Sequence, residues 1–230
     1  MRQIEIKDGE SVSTYQMPEN WGEVTIGQFI ELMEYGDKFK DKETLTEEET
    51  TDRITMTMAI LMDTDDITIN RLSTLQWSQL AQTLEWVYTT EPEKTLPKII
   101  EINGQEFGLE PDFQQMYKGA WIDANMFLKG GIKNLHQITA IFIREIKSKK
   151  AKYPAWYVKD GKHKQEYSTE LVDYSTDGRE VRAQFFKENM SVNVSYGIFV
   201  FFWVFAAEFL NSSKDSIVQM MMEQEMKLED

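Results

Sequence analysis

Cysteine is absent from this chain, which removes disulfides, thiolate nucleophiles and cysteine-held zinc or iron–sulfur centres from consideration. Histidine is nearly absent: His136 and His163 stand far apart without the spacing that lets two imidazoles share a metal, and His136 is expected to be a satisfied structural residue. Positive charge is in short supply, with 25 Lys and Arg against 39 Asp and Glu for a formal net charge of −14. That balance disfavours a protein that binds nucleic acid over its whole surface and suits contact with basic or apolar partners. Long apolar runs are missing too. The stretch from Gly197 to Ala207 is apolar on every side but far shorter than the roughly 20 residues a membrane span needs, so a buried central helix is expected. The opening residues show no basic segment followed by an apolar run, so no secretory signal is expected. No phosphate-cradling glycine loop, paired-histidine zinc motif or nucleophile elbow occurs. The expectation is a non-enzymatic protein without cofactor or metal, working through contact and not associated with a membrane.

What is present is an internal echo. Ile4, Glu5 and Ile6 alternate into an Asp8-Gly9 turn, and Ile100, Glu101 and Ile102 do the same into an Asn103-Gly104 turn. Each hairpin is followed by a proline, Pro18 or Pro111, and then by a helix start: Gly27–Glu31 in one case, Gly119–Asp123 in the other. The expected fold is α+β and helix-dominated, with two hairpin-plus-helices repeats and a third hairpin inserted in the second. The first repeat takes residues 1–90, a linker 91–97, and the second repeat 98–230 with an insertion at 147–185. Pro92 and Pro97 without apolar periodicity mark the linker.

Helix starts are readable from capping pairs: Thr25 with Gln28, Thr46 with Glu49, and Ser73 with Gln76. Ile26, Phe29, Ile30 and Met33 follow at one-face spacing. In the first hairpin, Ile4 and Ile6 are expected to meet Val12, Tyr15 and Met17. The third helix is expected to carry Trp77, Leu80, Ala81, Leu84 and Tyr88. In the second half, a helix is expected over 119–128, stopped at Lys129-Gly130-Gly131. Another, capped by Asn134, carries Leu135, Ile138, Ile141 and Phe142 and runs toward Ile146. A short helix near Arg182–Lys187, the apolar helix after Ser191 and a last one from Asp215 complete the chain.

The insertion holds the candidate contact residues: Lys147, Lys149, Lys150, Lys152, Trp156, Tyr157, Lys159, Lys162 and Lys164. Lysines beside exposed aromatics suit an acidic protein surface, or a neighbouring copy of this acidic chain. The same set could neutralise phosphates and stack on bases, which keeps a nucleic-acid-associated accessory role open. A solvated hairpin whose charges protect its edge is the plain alternative. Asp173, Ser175, Asp177 and Gly178 open like a calcium loop, but Gln184 stands where a bidentate Glu belongs, so a turn that caps the next helix is expected. The methionines between Met220 and Met226 suit an adaptable apolar face, expected to pack on the protein's own core.

The stretches Pro18–Phe29 (PENWGEVTIGQF) and Asn134–Ala140 (NLHQITA), with the opening hairpin, resemble small acidic proteins encoded among the morphogenesis genes of tailed phages of Bacteroidetes, crAss-like phages included. Such proteins are similar to tail-assembly chaperones or virion accessory components. The resemblance implies no active site. It implies partners among other phage structural proteins or copies of the chain itself, and a location in the host cytoplasm during assembly or in the virion.

Overall fold

The computed structural model describes residues 1–8, 11–110, 116–152, 158–159, 162–163 and 167–204. The fold is α+β, with small antiparallel sheets set against a larger helical body. Strands β1 (Arg2–Asp8) and β2 (Ser11–Met17) form a two-stranded hairpin pairing Ile4 with Tyr15 and Ile6 with Ser13. Ile6 and Met17 are buried, whereas Val12 is exposed. Parity explains the difference: Val12 is an odd number of residues from Tyr15 and Met17, so it points to the opposite face of the ribbon.

Helices α1 (Ile26–Gly36), α2 (Glu47–Leu61) and α4 (Thr74–Thr83) each begin on the expected capping box. The short α3 (Asp66–Ile69) is capped by Asp65. The third expected helix is broken at Leu84, beyond which α5 (Glu85–Thr89) begins; Leu84 itself is fully buried at the break. Strands β3 (Ile99–Ile102) and β4 (Gln105–Leu109) follow, joined by a tight turn in which Asn103 and Gly104 both take positive φ, as an Asn-Gly hairpin requires.

Helices α6 (Lys118–Leu128) and α7 (Leu135–Phe142) come next. Asn134 does not cap α7; its side chain instead donates to the Phe127 carbonyl at 3.0 Å, closing the turn between the two helices. α7 also ends earlier than expected. At Ile143 the chain becomes extended and enters β5 (Ile143–Ala151), which pairs with β4 and then with β8 (Tyr167–Leu171). The larger sheet therefore runs β3-β4-β5-β8, and the expected insertion is part of it. The short β6 (Val158–Lys159) and β7 (Lys162–His163) pair as the third hairpin. Helix α8 covers Thr176–Asn189, more than twice the expected length, and it starts six residues earlier than expected because Ser175 caps it, accepting from the Gly178 amide at 3.2 Å. The calcium-like opening is thus a capping turn. The last described element, α9, spans residues 192–204; the helix expected from Asp215 lies outside the described residues.

A single cluster of buried residues takes side chains from both sides of residues 91–97, including Phe29, Ile30, Met58, Phe107, Ile138, Phe142, Phe186 and Phe202. Helix α9 runs through it. The Val192 amide donates to the Val24 carbonyl at 2.9 Å, and Tyr196 meets Phe29 edge-on. The Phe202 ring stands 5.5 Å from Trp121 and 4.6 Å from Phe142. The 91–97 segment is pinned to the same helix, with the Glu93 amide donating to Asn193 Oδ1 at 3.0 Å and the Thr95 amide to the Asn193 carbonyl at 3.3 Å. Gly197 is what permits this approach: a Cβ there would lie 2.5 Å from the Thr95 carbonyl oxygen. Only part of α9 is buried, however. Ile198 and Phe202 face the core, while Phe201, Trp203 and Val204 are exposed, which corrects the expectation of a helix buried all round.

Two outcomes follow for thermal unfolding. Phe202→Ala should cost about 3–5 kcal/mol, as expected for deleting a fully buried ring; an unchanged midpoint would show that the ring is not packed. Gly197→Ala should cost about 1–3 kcal/mol through backbone displacement, since the Thr95 main chain has no rotamer to yield. A neutral or stabilising alanine would contradict the close approach.

Candidate functional site

Helix α7 delivers β5 from the core to the surface. Ile143 and Arg144 are buried at its start, and burial falls steadily until Lys149, Lys150 and Ala151 are exposed. Only Ile143, Arg144 and Glu145 pair with β4; beyond them β5 is accompanied by β8 alone, with a register shift between Ile146 and Ser148. The outer half of β5 and β8 is therefore a two-stranded ribbon rising from the sheet. A bulge of this kind bends and twists the ribbon away from the sheet plane.

The base of the ribbon is fixed by buried cations. Arg144 donates to the Val172 carbonyl at 2.9 Å and forms an ion pair with Glu110. Arg182, from α8, donates to the Ala140 carbonyl at 3.2 Å and to Glu145 at 3.1 Å. Burial pulls the Arg182 guanidinium below its ordinary pKa, opposed by the attraction of Glu145. Arg179 lies 3.4 Å from Asp123, which also accepts from the Tyr174 hydroxyl. Burial, then that carboxylate, pushes the Tyr174 pKa up. Arg144, Arg179 and Arg182 thus tie α6, α7, α8 and the ribbon together, and each has a carboxylate beside it. The arrangement is that of a structural network. Buried charge is tolerated when paired and hydrogen-bonded in this way.

Higher up, the expected contact lysines meet acids that lie far away in sequence. Lys147 pairs with Glu170 on β8 at 2.9 Å, and Ser148 donates to the same carboxylate at 3.0 Å. The hydrogen bond from Lys147 holds Glu170 below the usual carboxylate range and raises the lysine in return. Lys149 pairs with Glu106 on β4 and lies 5.8 Å from the Tyr167 ring centre. Glu106, Glu170 and Tyr167 were not among the expected residues, because strand pairing across tens of residues brings them in. Lys150 and Lys152 are exposed, without an ion-pair partner among the described residues. Lys159 and Lys162 fall on β6 and β7 by backbone position. Trp156, Tyr157 and Lys164 lie outside the described residues.

Beside the ribbon is a cleft of about 480 Å³ between β3, β4, β8 and the end of α9, with Lys98, Glu110, Lys152, Tyr167 and Phe201 among its walls. A second opening, about 570 Å³, is an apolar groove formed by Met33, Ile132, Phe199, Val200, Trp203 and Val204, with the Lys133–Asp37 ion pair on its rim. Among the described residues there is no group of three or more His, Asp or Glu placed to hold a metal ion. None of the described helices is long and apolar enough to cross a membrane.

His136 lies on α7, and its Nδ1 is buried without a hydrogen-bond partner among the described residues, in contrast to the expected satisfied histidine. Burial, and then the Lys187 charge, brings its pKa down to about 4. The folded state therefore holds the neutral imidazole, while the unfolded chain binds a proton near 6.5. The native state should lose stability as pH falls from about 6.5 toward 4, because the unfolded state binds more protons in that window. His136→Leu should flatten this part of a denaturation-against-pH profile, and an unchanged slope would show that the imidazole is solvated. No protein-family model, curated protein or solved structure matches this chain.

Proposed function

We propose that this chain is a non-enzymatic phage assembly or virion structural protein that acts through protein–protein contacts, with the β5–β8 ribbon and the hairpin beyond it as the contact element. It works in the host cytoplasm during assembly, or in the virion itself. The observation that carries the reading is the gradient along β5: its root is buried and cross-braced by arginine, while its outer half presents lysines. A braced root with an exposed basic tip suits an element that must reach another surface without unfolding. Lys147 and Lys149 already engage carboxylates of this chain, so acidic side chains are the kind of partner the ribbon accommodates. Because Lys147 and Lys149 are already paired within the chain, Lys150 and Lys152 are the lysines of the ribbon best placed to meet a partner.

The two hairpin-plus-helix stretches, residues 1–36 and 98–128, belong in this reading to repeats spanning 1–90 and 98–230. Antiparallel pairing in each hairpin supports the relation. Their surroundings differ, since β1 and β2 stand alone and β3 and β4 are extended by β5 and β8.

Zero-length carbodiimide cross-linking, which joins lysine to carboxylate, tests the contact during particle assembly. Lys150 and Lys152 should link to a second protein chain, and Lys150→Glu with Lys152→Glu should abolish both the link and incorporation without changing the unfolding midpoint. Unchanged incorporation would refute the proposal. Saturable, salt-dependent binding of a single-stranded oligonucleotide, lost in the same variant, would favour the nucleic-acid role instead.

A further inference from the structure

A cavity of about 260 Å³ opens between α1, α2 and α5, and none of its walls comes from the ribbon. Its deep side is apolar, made by Leu32, Met33 and Val87. Arg53 and Tyr88 form a polar wall, with the guanidinium carbon 4.8 Å from the Tyr88 ring centre. Lys40 is exposed at the mouth. What sets Arg53 apart is its lack of an anion. Arg144, Arg179 and Arg182 each stand beside a carboxylate, whereas Arg53 has no ion-pair partner among the described residues. The acids close by are engaged elsewhere: Asp52 accepts from the Tyr35 hydroxyl, and Asp37 pairs with Lys133 at 3.4 Å. In a chain with 39 acidic residues against 25 basic ones, a half-buried guanidinium without a carboxylate is the exception.

Its orientation is held as well. The buried Thr57 hydroxyl donates to the Arg53 carbonyl at 2.8 Å, and so accepts from the Tyr88 hydroxyl at 2.9 Å. The ring under the guanidinium is therefore anchored at its far end. Stacking on an aromatic face leaves the in-plane N–H groups of the fork free to donate. A fork with unspent donors matches a carboxylate or a phosphate in bidentate fashion. Charge decides between the two. Asp37 lines the same cavity and the chain carries −14 overall, so a dianion meets more repulsion than a monoanion. The apolar deep side then calls for an apolar body behind the charge.

We infer that this cavity is a binding site for a carboxylate carried on a small apolar body. Arg53 is its bidentate anchor, Lys40 a second, mobile cation, and Leu32, Met33 and Val87 enclose the body. Two sources present that chemistry: a free organic acid, and the C-terminal residue of another protein chain.

Hydrocinnamate is a suitable probe, titrated into the full chain and followed by backbone-amide NMR. Saturable shifts should centre on residues 32–40, 53–57 and 87–88. The amide of the same acid keeps the shape without the charge. It should bind at least about tenfold more weakly, the worth of one charge-assisted hydrogen bond. Arg53→Met, which keeps an unbranched stem and removes the fork, should lose affinity by a similar factor, with Arg53→Lys intermediate. N-acetylphenylalanine distinguishes the two sources: tighter binding than hydrocinnamate marks a chain end, and equal or weaker binding a free acid. Absence of saturable shifts, shifts centred elsewhere, equal affinity for the amide, or tighter binding of phenyl phosphate would overturn the inference. The amide comparison uses the unaltered protein, so it decides the question even where Arg53→Met fails to fold.

Discussion

The burial of α9 between the two halves of the chain is the interaction on which the rest of the structure depends. One side of this helix supplies Ile198 and Phe202 to the core, and its first turn is held to Val24 by the main chain. Full burial of one such side chain contributes about 1.5–3 kcal/mol. Through Phe29, Trp121 and Phe142, the aromatic contacts of α9 reach α1, α6 and α7 together. The glycine at 197 lets the 91–97 segment lie directly on the helix, so that segment is fastened in place despite its proline content. Removing α9 would leave each half with an open apolar face.

From that core, the charged network translates rigidity to the surface. Arg144 and Arg182 grip the main chain at Val172 and Ala140, and their carboxylate partners are Glu110, just past the end of β4, and Glu145 on β5 at the base of the ribbon. A lysine-rich ribbon without such a root would move freely and lose entropy on meeting a partner. With it, the exposed lysines start from a defined position, and they stand out against the acidic excess of the chain as a whole.

Legibility in the sequence followed the range of the forces involved. The capping boxes at Thr25, Thr46 and Ser73 and the Asn103-Gly104 turn are local chemistry, and they stand where the residue pattern put them. The end of α7 was not readable: Ile143 and Ile146 satisfy helical spacing as well as a strand, and the outcome was set by β4 and β8, which offer backbone partners from afar. The acids opposite Lys147 and Lys149 were hidden for the same reason. An all-apolar helix carries no amphipathic period, so nothing in α9 announced that Trp203 and Val204 would face outward. Of the proposed contact residues, the lysines were legible by composition, whereas their pairing required the sheet.

If α9 joins both halves, the molecule should open as one unit. Native-state hydrogen exchange in increasing denaturant measures this directly, amide by amide. The amides of residues 194–204 should be among the slowest, and protection in α1, α2 and α7 should converge with them on a single global unfolding isotherm. Separate isotherms for residues 1–90 and 98–190, with α9 exchanging alongside only one of them, would contradict the account.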